Sequence, residues 1–256
     1  MTEPYTLQGA AQRQQTYEIV LRPLTTKNDI QRLTDINRDA MAPDLLSKWM
    51  EMYTPRSEAE GARLALEEAM KDSDNGEKVS DGNYGTVTAV VRSIADDEDQ
   101  EVIAGFVYWE EGYINVGSLQ ASAAADATPV LSNPANDVER ARQARLALGT
   151  EIYAHSRQHY IKTIQWRRHV FVRRLMVDPS YQRMGIGSLL LRHVTSHADQ
   201  NAMPCWLYSR PAGVKLYEQE GFRAVGTTEL STAELPGVGI SLGMVRWEQG
   251  PGVGDW

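Results

Sequence analysis

The stretch from His169 to Ala198 constrains this chain more than any other. His169-Val170-Phe171-Val172-Arg173-Arg174-Leu175-Met176-Val177 is rich in β-branched and apolar residues and predicts a strand. Asp178-Pro179-Ser180-Tyr181 breaks it, since proline has no N–H to give to a sheet ladder. Gln182-Arg183-Met184-Gly185-Ile186-Gly187 follows. From Gly185 to Ala198, Ile186, Leu189, Leu190, Val194 and Ala198 recur at helical spacing and predict a helix with one core-facing side. Strand, glycine loop and helix start in succession can hold an anion. The first amides of a helix have no intrahelical acceptor and point outward. With the helix dipole behind them they suit a phosphate or pyrophosphate, and Arg183 adds a positive charge. The glycines also suit a tight turn that binds nothing, and the pair alone does not choose between these uses.

Two other nucleotide loops fit poorly. A dinucleotide-binding fingerprint wants a small residue three after its second glycine, where Leu190 stands, and it opens a βαβ unit rather than falling late in the chain. A Walker A loop wants Gly-Lys-Ser/Thr, and no such run follows. Composition narrows the classes further. A chain of 256 residues with 42% hydrophobic and 23% charged residues can bury a single core. Its 26 basic against 34 acidic residues, net charge -8, argue against a bulk nucleic-acid-binding surface. No apolar run approaches the roughly 18 to 20 residues that span a bilayer. Met1 to Thr16 is polar and Gln-rich, with no apolar signal core. Cys205 is the sole cysteine, which excludes an intrachain disulfide and a cysteine-based zinc cluster. A reducing compartment is expected, the cytoplasm with the nucleus as an alternative, and no nucleic acid, membrane or metal is expected as a partner.

The remaining elements read as one domain over 17–248, with 1–16 and 249–256 as flexible ends. Tyr17 to Leu24 predicts a strand, and Thr26 or Asn28 caps a helix carrying Ile30, Leu33 and Ile36 or Asn37 at helical spacing. Ser57 to Met70 predicts a second helix, with Ser57 and Glu60 at capping-box spacing. Tyr84 to Arg92 and Val102 to Trp109 predict a two-stranded meander whose tip carries Asp96-Asp97-Glu98-Asp99. Residues 112–165 read as an insertion: an Ala/Ser/Pro-rich loop, then a helix from Asp137 to His159. Pro204 to Tyr208 predicts a strand, Pro211 to Glu220 a helix stopped by Gly221, and Phe222 to Val225 and Ile240 to Trp247 further strands.

At this point the chain resembles the GNAT family of N-acetyltransferases. That family's acyl-CoA loop is Gln/Arg-x-x-Gly-x-Gly/Ala after a strand ending in apolar-x-apolar-x-Pro. Here Leu175-Met176-Val177-Asp178-Pro179 leads into Gln182 to Gly187. Its second motif, Leu-Tyr-x-x-x-Gly-Phe, stands complete as Leu216-Tyr217-Glu218-Gln219-Glu220-Gly221-Phe222. The first motif alone arises by chance in about one chain in twenty at average composition; two motifs, in order and on the right elements, make coincidence improbable. The resemblance is clearest from Arg168 to Val225, with fainter traces at Leu21 to Leu24, at Asp29 and at Ile103 to Val107.

The resemblance implies an α/β (α+β) fold: a mixed, mostly antiparallel central sheet flanked by helices and splayed at the acyl-CoA site. It implies acetyl-CoA as co-substrate and direct transfer of the acetyl group to an amine. Backbone groups of Leu175, Met176 and Val177 would pair with the pantetheine arm, and Gln182, Arg183, Met184, Gly185, Ile186, Gly187 and Ser188 would hold the pyrophosphate. Tyr217 would be the general acid for the departing CoA thiolate. Seven residues earlier, where many members carry Asn or Ser, stands Arg210, a candidate for the cofactor's phosphates or for solvent.

The acceptor side departs from the pattern. An amine near pKa 10 must lose a proton before it attacks, and many members place a Glu on the strand before the loop. Arg173 and Arg174 stand on this strand instead. His169, Glu110 and Glu111 are the candidate bases, with His169 weighed also as a structural histidine. Cys205 reads as a small buried residue rather than a nucleophile. The acceptor is a small-molecule or peptide amine, and the insertion suits a lid, a substrate wall or a homodimer surface. The missing Glu keeps a second reading open: a non-catalytic acyl-CoA sensor or scaffold.

Overall fold

Every strand amide needs an acceptor, and this chain supplies most of them within one sheet. The computed structural model describes residues 5–6, 17–24, 28–44, 47, 63, 67, 84–93, 101–112, 154–165, 167–230 and 238–247. Among them run strands β1 (Tyr5–Thr6), β2 (Tyr17–Pro23), β3 (Tyr84–Ser93), β4 (Glu101–Gly112), β5 (His169–Val177), β6 (Cys205–Ser209), β7 (Arg223–Leu230) and β8 (Val238–Arg246). Their order in the sheet is β1-β2-β3-β4-β5-β6-β8-β7. Only β5 and β6 pair in parallel; all other neighbours are antiparallel. This is the mixed, mostly antiparallel sheet expected from the sequence.

Among the described residues, the helices with continuous ranges that flank it are α1 (Asn28–Met41), α2 (154–164), α3 (Ile186–Gln200) and α4 (Val214–Gln219). The pleat of β5 sorts them into two layers, since successive strand side chains take opposite faces. Val170, Val172, Leu175 and Val177 pack with Ile186, Leu190, Leu191 and Val194 of α3 and Tyr217 of α4. Met176 packs with Phe106 and with Ile30, Leu33 and Ile36 of α1. Phe171 packs with Trp206 and with Ile164 of α2. Phe171 and Met176 are five apart yet share a face. The reason is an extra residue in β5: the register passes from Tyr108↔Arg174 to Trp109↔Val172, leaving Arg173 as a bulge.

Several expectations shift. Tyr5–Thr6 pairs with Ile19 and Glu18, so this part of 1–16 is an edge strand rather than a loose end. The predicted insertion helix continues past His159 to Ile164, where an apolar side faces Phe171 and Trp206; its expected start lies outside the described residues. Pro211 opens a 3₁₀ turn, Pro211–Gly213, before α4 begins. The last strand inserts between β6 and β7. Of the expected helix at 57–70 only Arg63 and Glu67 are described, both helical and ion-paired. The Asp96–Asp99 tip, the loop at 118–136 and residues 249–256 also lie outside the described residues.

Candidate active site

A cleft opens because β5 and β6 stay together for only three residues. Their parallel pairing runs Val170↔Cys205, Phe171↔Trp206 and Val172↔Leu207. The Arg173 bulge then bends β5, which continues along β4 with Leu175, Met176 and Val177 opposite Val107, Phe106 and Gly105. The other edge of those three residues has no strand beside it among the described residues. β6 ends at Ser209 against β8. The result is a V with Val172 and Leu207 at its apex, and one wall of backbone donors and acceptors.

The loop that closes the wide end is tied down at several points. The Asp178 N–H reaches the Ala104 carbonyl at 2.8 Å, which extends the β5–β4 ladder by one residue. One Asp178 carboxylate oxygen accepts the Ser180 amide at 2.8 Å and caps the turn Pro179–Tyr181. The other is held by the Arg32 guanidinium, which also donates to the Ile103 carbonyl at 3.1 Å. Burial pushes the Asp178 carboxyl up, but the Ser180 amide and Arg32 outweigh it and hold it below its ordinary value. The Gln182 side-chain Nε2 donates to the Val177 carbonyl at 3.2 Å. Arg183 and Gly185 then take left-handed conformations, φ 66° and 82°, and swing the chain into α3. The first backbone bond of α3 runs from Leu189 N–H to the Gly185 carbonyl at 3.0 Å, so the amides of Ile186, Gly187 and Ser188 precede it without helical acceptors.

The two glycines divide the labour. Gly185 supplies the left-handed turn. Gly187 supplies room: a Cβ there would lie 3.1 Å from Leu216 Cδ2 and 3.8 Å from Leu175 Cδ2. The start of α3 thereby meets both α4 and the cleft strand. The tyrosine motif reads in the same physical terms. Leu216 packs over Gly187, and Tyr217 is buried. Gly221, at φ 87°, ends α4, and the Phe222 N–H bonds back to the Tyr217 carbonyl at 3.0 Å. The Phe222 ring meets the Tyr217 ring edge-on at 5.9 Å. Burial pushes the Tyr217 phenol up to about 12, so it keeps its proton at neutral pH.

Other sequence candidates separate by face and partner. Met184 packs at the edge of the α3-side core. Arg210 lies 3.7 Å from Asp44, just beyond α1. Cys205 is fully buried on β6, and burial pushes its thiol up to about 12. His169 donates from Nδ1 to the Arg167 carbonyl at 2.9 Å and accepts at Nε2 from the Tyr160 hydroxyl. Burial lowers its pKa, which keeps this tautomer neutral. It lies six residues from Leu175, roughly 20 Å along the strand. Glu111 is buried on the α3 side with both oxygens occupied, by Arg168 at 2.7 Å and His197 at 2.5 Å. Glu110 lies on the opposite face, paired with Arg173. Arg174 donates to Asn37 of α1 at 3.0 Å. Among the described residues no three His, Cys, Asp or Glu side chains could hold a metal ion.

Sequence reasoning missed Arg32, Asn37 and Asp44, which brace the site from α1 and just beyond it. Their partners lie more than a hundred residues away, and no local pattern marks them.

The acetyltransferase (GNAT) domain model matches residues 147–224, the stretch holding β5, the loop and α4. The mosquito arylalkylamine N-acetyltransferase like 5b superposes with a TM-score of 0.55 at 14% identity, covering 90% of this chain and 99% of that one, which shows a shared fold. Arabidopsis thaliana NAA60 in complex with a bisubstrate analogue gives 0.47 at 17% identity, covering 90% and 98%. The PaiA N-acetyltransferase of Thermoplasma acidophilum in complex with coenzyme A gives 0.46 at 15%, covering 90% and 98%. No curated protein matches the chain in sequence. The cleft strand, the glycine loop and the tyrosine helix all fall in the stretch that the acetyltransferase (GNAT) domain model matches.

Proposed function

We propose that this protein transfers an acetyl group from acetyl-CoA directly to an amine. The observation that carries the reading is the continuity of three features: the open edge of β5 at Leu175–Val177, the left-handed turn at Gly185, and the bare amides at the start of α3. Together they fit a long, thin ligand with an amide-bearing arm and an anionic diphosphate. In this reading Leu175, Met176 and Val177 pair with the pantetheine arm as an added strand would. The amides from Arg183 to Ser188, with Gln182 bracing the turn, hold the pyrophosphate. Acetyl-CoA supplies the activated acyl group when bound. Tyr217 holds a proton that it gives to the departing thiolate. Arg210 is the candidate for a further phosphate contact, in competition with Asp44. The amine approaches from the α1 and α2 side, because the loop and α4 occupy the other face. Cytoplasmic placement is part of the proposal.

A second reading, an acyl-CoA sensor without acceptor chemistry, is favoured by one observation: β5 carries no carboxylate. Two measurements separate the readings. Calorimetry with acetyl-CoA is expected to show binding by the wild type and its loss in Gly185→Asp/Gly187→Asp; unchanged binding removes the loop assignment. CoA release is then followed with 2-phenylethylamine, spermidine and a peptide with a free N-terminus. Turnover that falls on the order of 100-fold in Tyr217→Phe, with acetyl-CoA affinity kept, supports the enzyme. Binding without turnover of any of the three supports the sensor.

A further inference from the structure

Resting on the acetyltransferase reading, we propose that Glu110 takes the proton from the attacking amine and that Arg173 positions it. The argument begins at the apex of the V. On the α1 and α2 face a chain of contacts crosses three strands there. Glu110 of β4 sits directly opposite Phe171 of β5 in the register. The Arg173 guanidinium lies over the Phe171 ring, 4.0 Å from its centroid, and bonds the Glu110 carboxylate. Phe171 in turn meets Tyr208 of β6 edge-on at 5.7 Å. Tyr208 is the first residue of β6 beyond the last pair with β5, so it stands where the strands part. Its hydroxyl is held by the Ser156 carbonyl of α2 at 3.0 Å. The row Glu110, Arg173, Phe171 and Tyr208 therefore runs across the apex, bounded by α1 on one flank and α2 on the other.

Elimination points to the same residue. His169 has both ring nitrogens occupied. Glu111 is buried on the other face with both oxygens bonded. Asp178 holds the loop through Arg32 and Ser180. Glu110 alone among these joins the correct face with partial exposure, its side chain 24% accessible. The bulge explains the pairing with Arg173. The inserted residue has no opposite number on β4 and leans onto the face of Phe171, where its guanidinium fixes one carboxylate oxygen and leaves the other to accept a proton.

The step balances as follows. The alkylammonium gives one proton to Glu110, which passes it to solvent. The neutral nitrogen forms the C–N bond to the acetyl carbonyl carbon as the C–S bond breaks. The second nitrogen proton is lost, and the thiolate receives a proton from Tyr217, which is restored by that released proton.

The test uses acceptors that differ in their need for a base. 2-Phenylethylamine is protonated at neutral pH and requires deprotonation; hydroxylamine is largely neutral and does not. In Glu110→Gln, CoA release with 2-phenylethylamine is expected to fall on the order of 100-fold or more, while release with hydroxylamine, corrected for the uncatalysed rate, stays within about threefold. Acetyl-CoA affinity by calorimetry is expected to hold. Glu110→Asp recovers part of the loss. Arg173→Gln lowers the 2-phenylethylamine rate less than Glu110→Gln does, by a smaller kcat with KM for acetyl-CoA unchanged. Equal loss with both acceptors, no loss with either, or a wild type that binds acetyl-CoA but uses neither acceptor overturns the assignment of Glu110. A wild type that fails to bind acetyl-CoA overturns the underlying reading instead. Should Glu110→Gln melt early, the Glu110→Asp comparison of the two acceptors decides.

Discussion

Gly105 and Gly112 lie on the same strand and have opposite surroundings, so one substitution made at both isolates the packing of the cleft strand. A Cβ on Gly105 would sit 2.8 Å from the Met176 backbone carbonyl oxygen, 3.2 Å from Ile186 Cγ2 and 3.3 Å from Leu190 Cδ1. A Cβ on Gly112 would meet nothing within 4 Å. The side chains of Ile186 and Leu190 can give a few tenths of an ångström, but the Met176 carbonyl cannot move without moving β5. Overpacking of this kind costs about 1–3 kcal/mol. Replacing glycine by alanine returns about 0.4–1 kcal/mol by restricting the unfolded chain. Gly105→Ala is thus expected to lose about 1–2 kcal/mol net, while Gly112→Ala is neutral or gains up to about 1 kcal/mol. At about 2–4 °C per kcal/mol for a chain of this size, the melting temperatures of the two variants should differ by several degrees. Urea midpoints check the free energies directly. Because Met176 belongs to the proposed pantetheine wall, Gly105→Ala should also weaken acetyl-CoA binding in calorimetry, and Gly112→Ala should not. Equal stability and equal acetyl-CoA affinity of the two variants would refute this account of how β4 backs the cleft.

Two further outcomes follow from the braces around the site. Arg32→Gln removes the charge that holds Asp178; for a partly exposed, charge-assisted contact this should cost about 1–2 kcal/mol and raise the Kd for acetyl-CoA several-fold, read by urea unfolding and calorimetry. His169 is depressed by burial from its ordinary 6.5, so the unfolded chain takes up the proton first as pH falls. Its contribution is therefore complete above about 6.5 and declines as pH drops below that value toward the folded pKa. His169→Gln should flatten that part of the stability profile between about pH 7.5 and 5.5, leaving the share due to His193, which burial depresses in the same direction.

The strand at His169–Val177 was legible to the residue, and α3 to within two residues, because both carry their own signals: a β-branched run stopped by Pro179, and apolar residues at helical spacing after a glycine pair. The tyrosine motif was legible as a unit through the family resemblance rather than from helical spacing. Leu216, Tyr217, Gly221 and Phe222 perform a local task, closing a short helix onto the loop, and local tasks leave local patterns. The bulge at Arg173 was not legible, since only the partner strand's register reveals an extra residue. Nor were the Arg32–Asp178 and Asn37–Arg174 contacts, whose members are separated by 146 and 137 residues. The α2 helix was expected to stop at His159, because nothing nearby says that Ile164 will be buried under Phe171 and Trp206. Composition favours a helix there, and tertiary burial decides how far it runs.

The strand order gives the cleft a history as well as a shape. β6 forms the wall opposite Leu175–Val177, and its outer side is completed by β8, which comes last of the strands in the sequence. During synthesis the glycine loop and α3 are available well before Val238–Arg246 emerges, and until then β6 offers an unpaired, apolar edge. One side of the cleft can therefore assemble early on the growing polypeptide, whereas the other waits for the final hairpin.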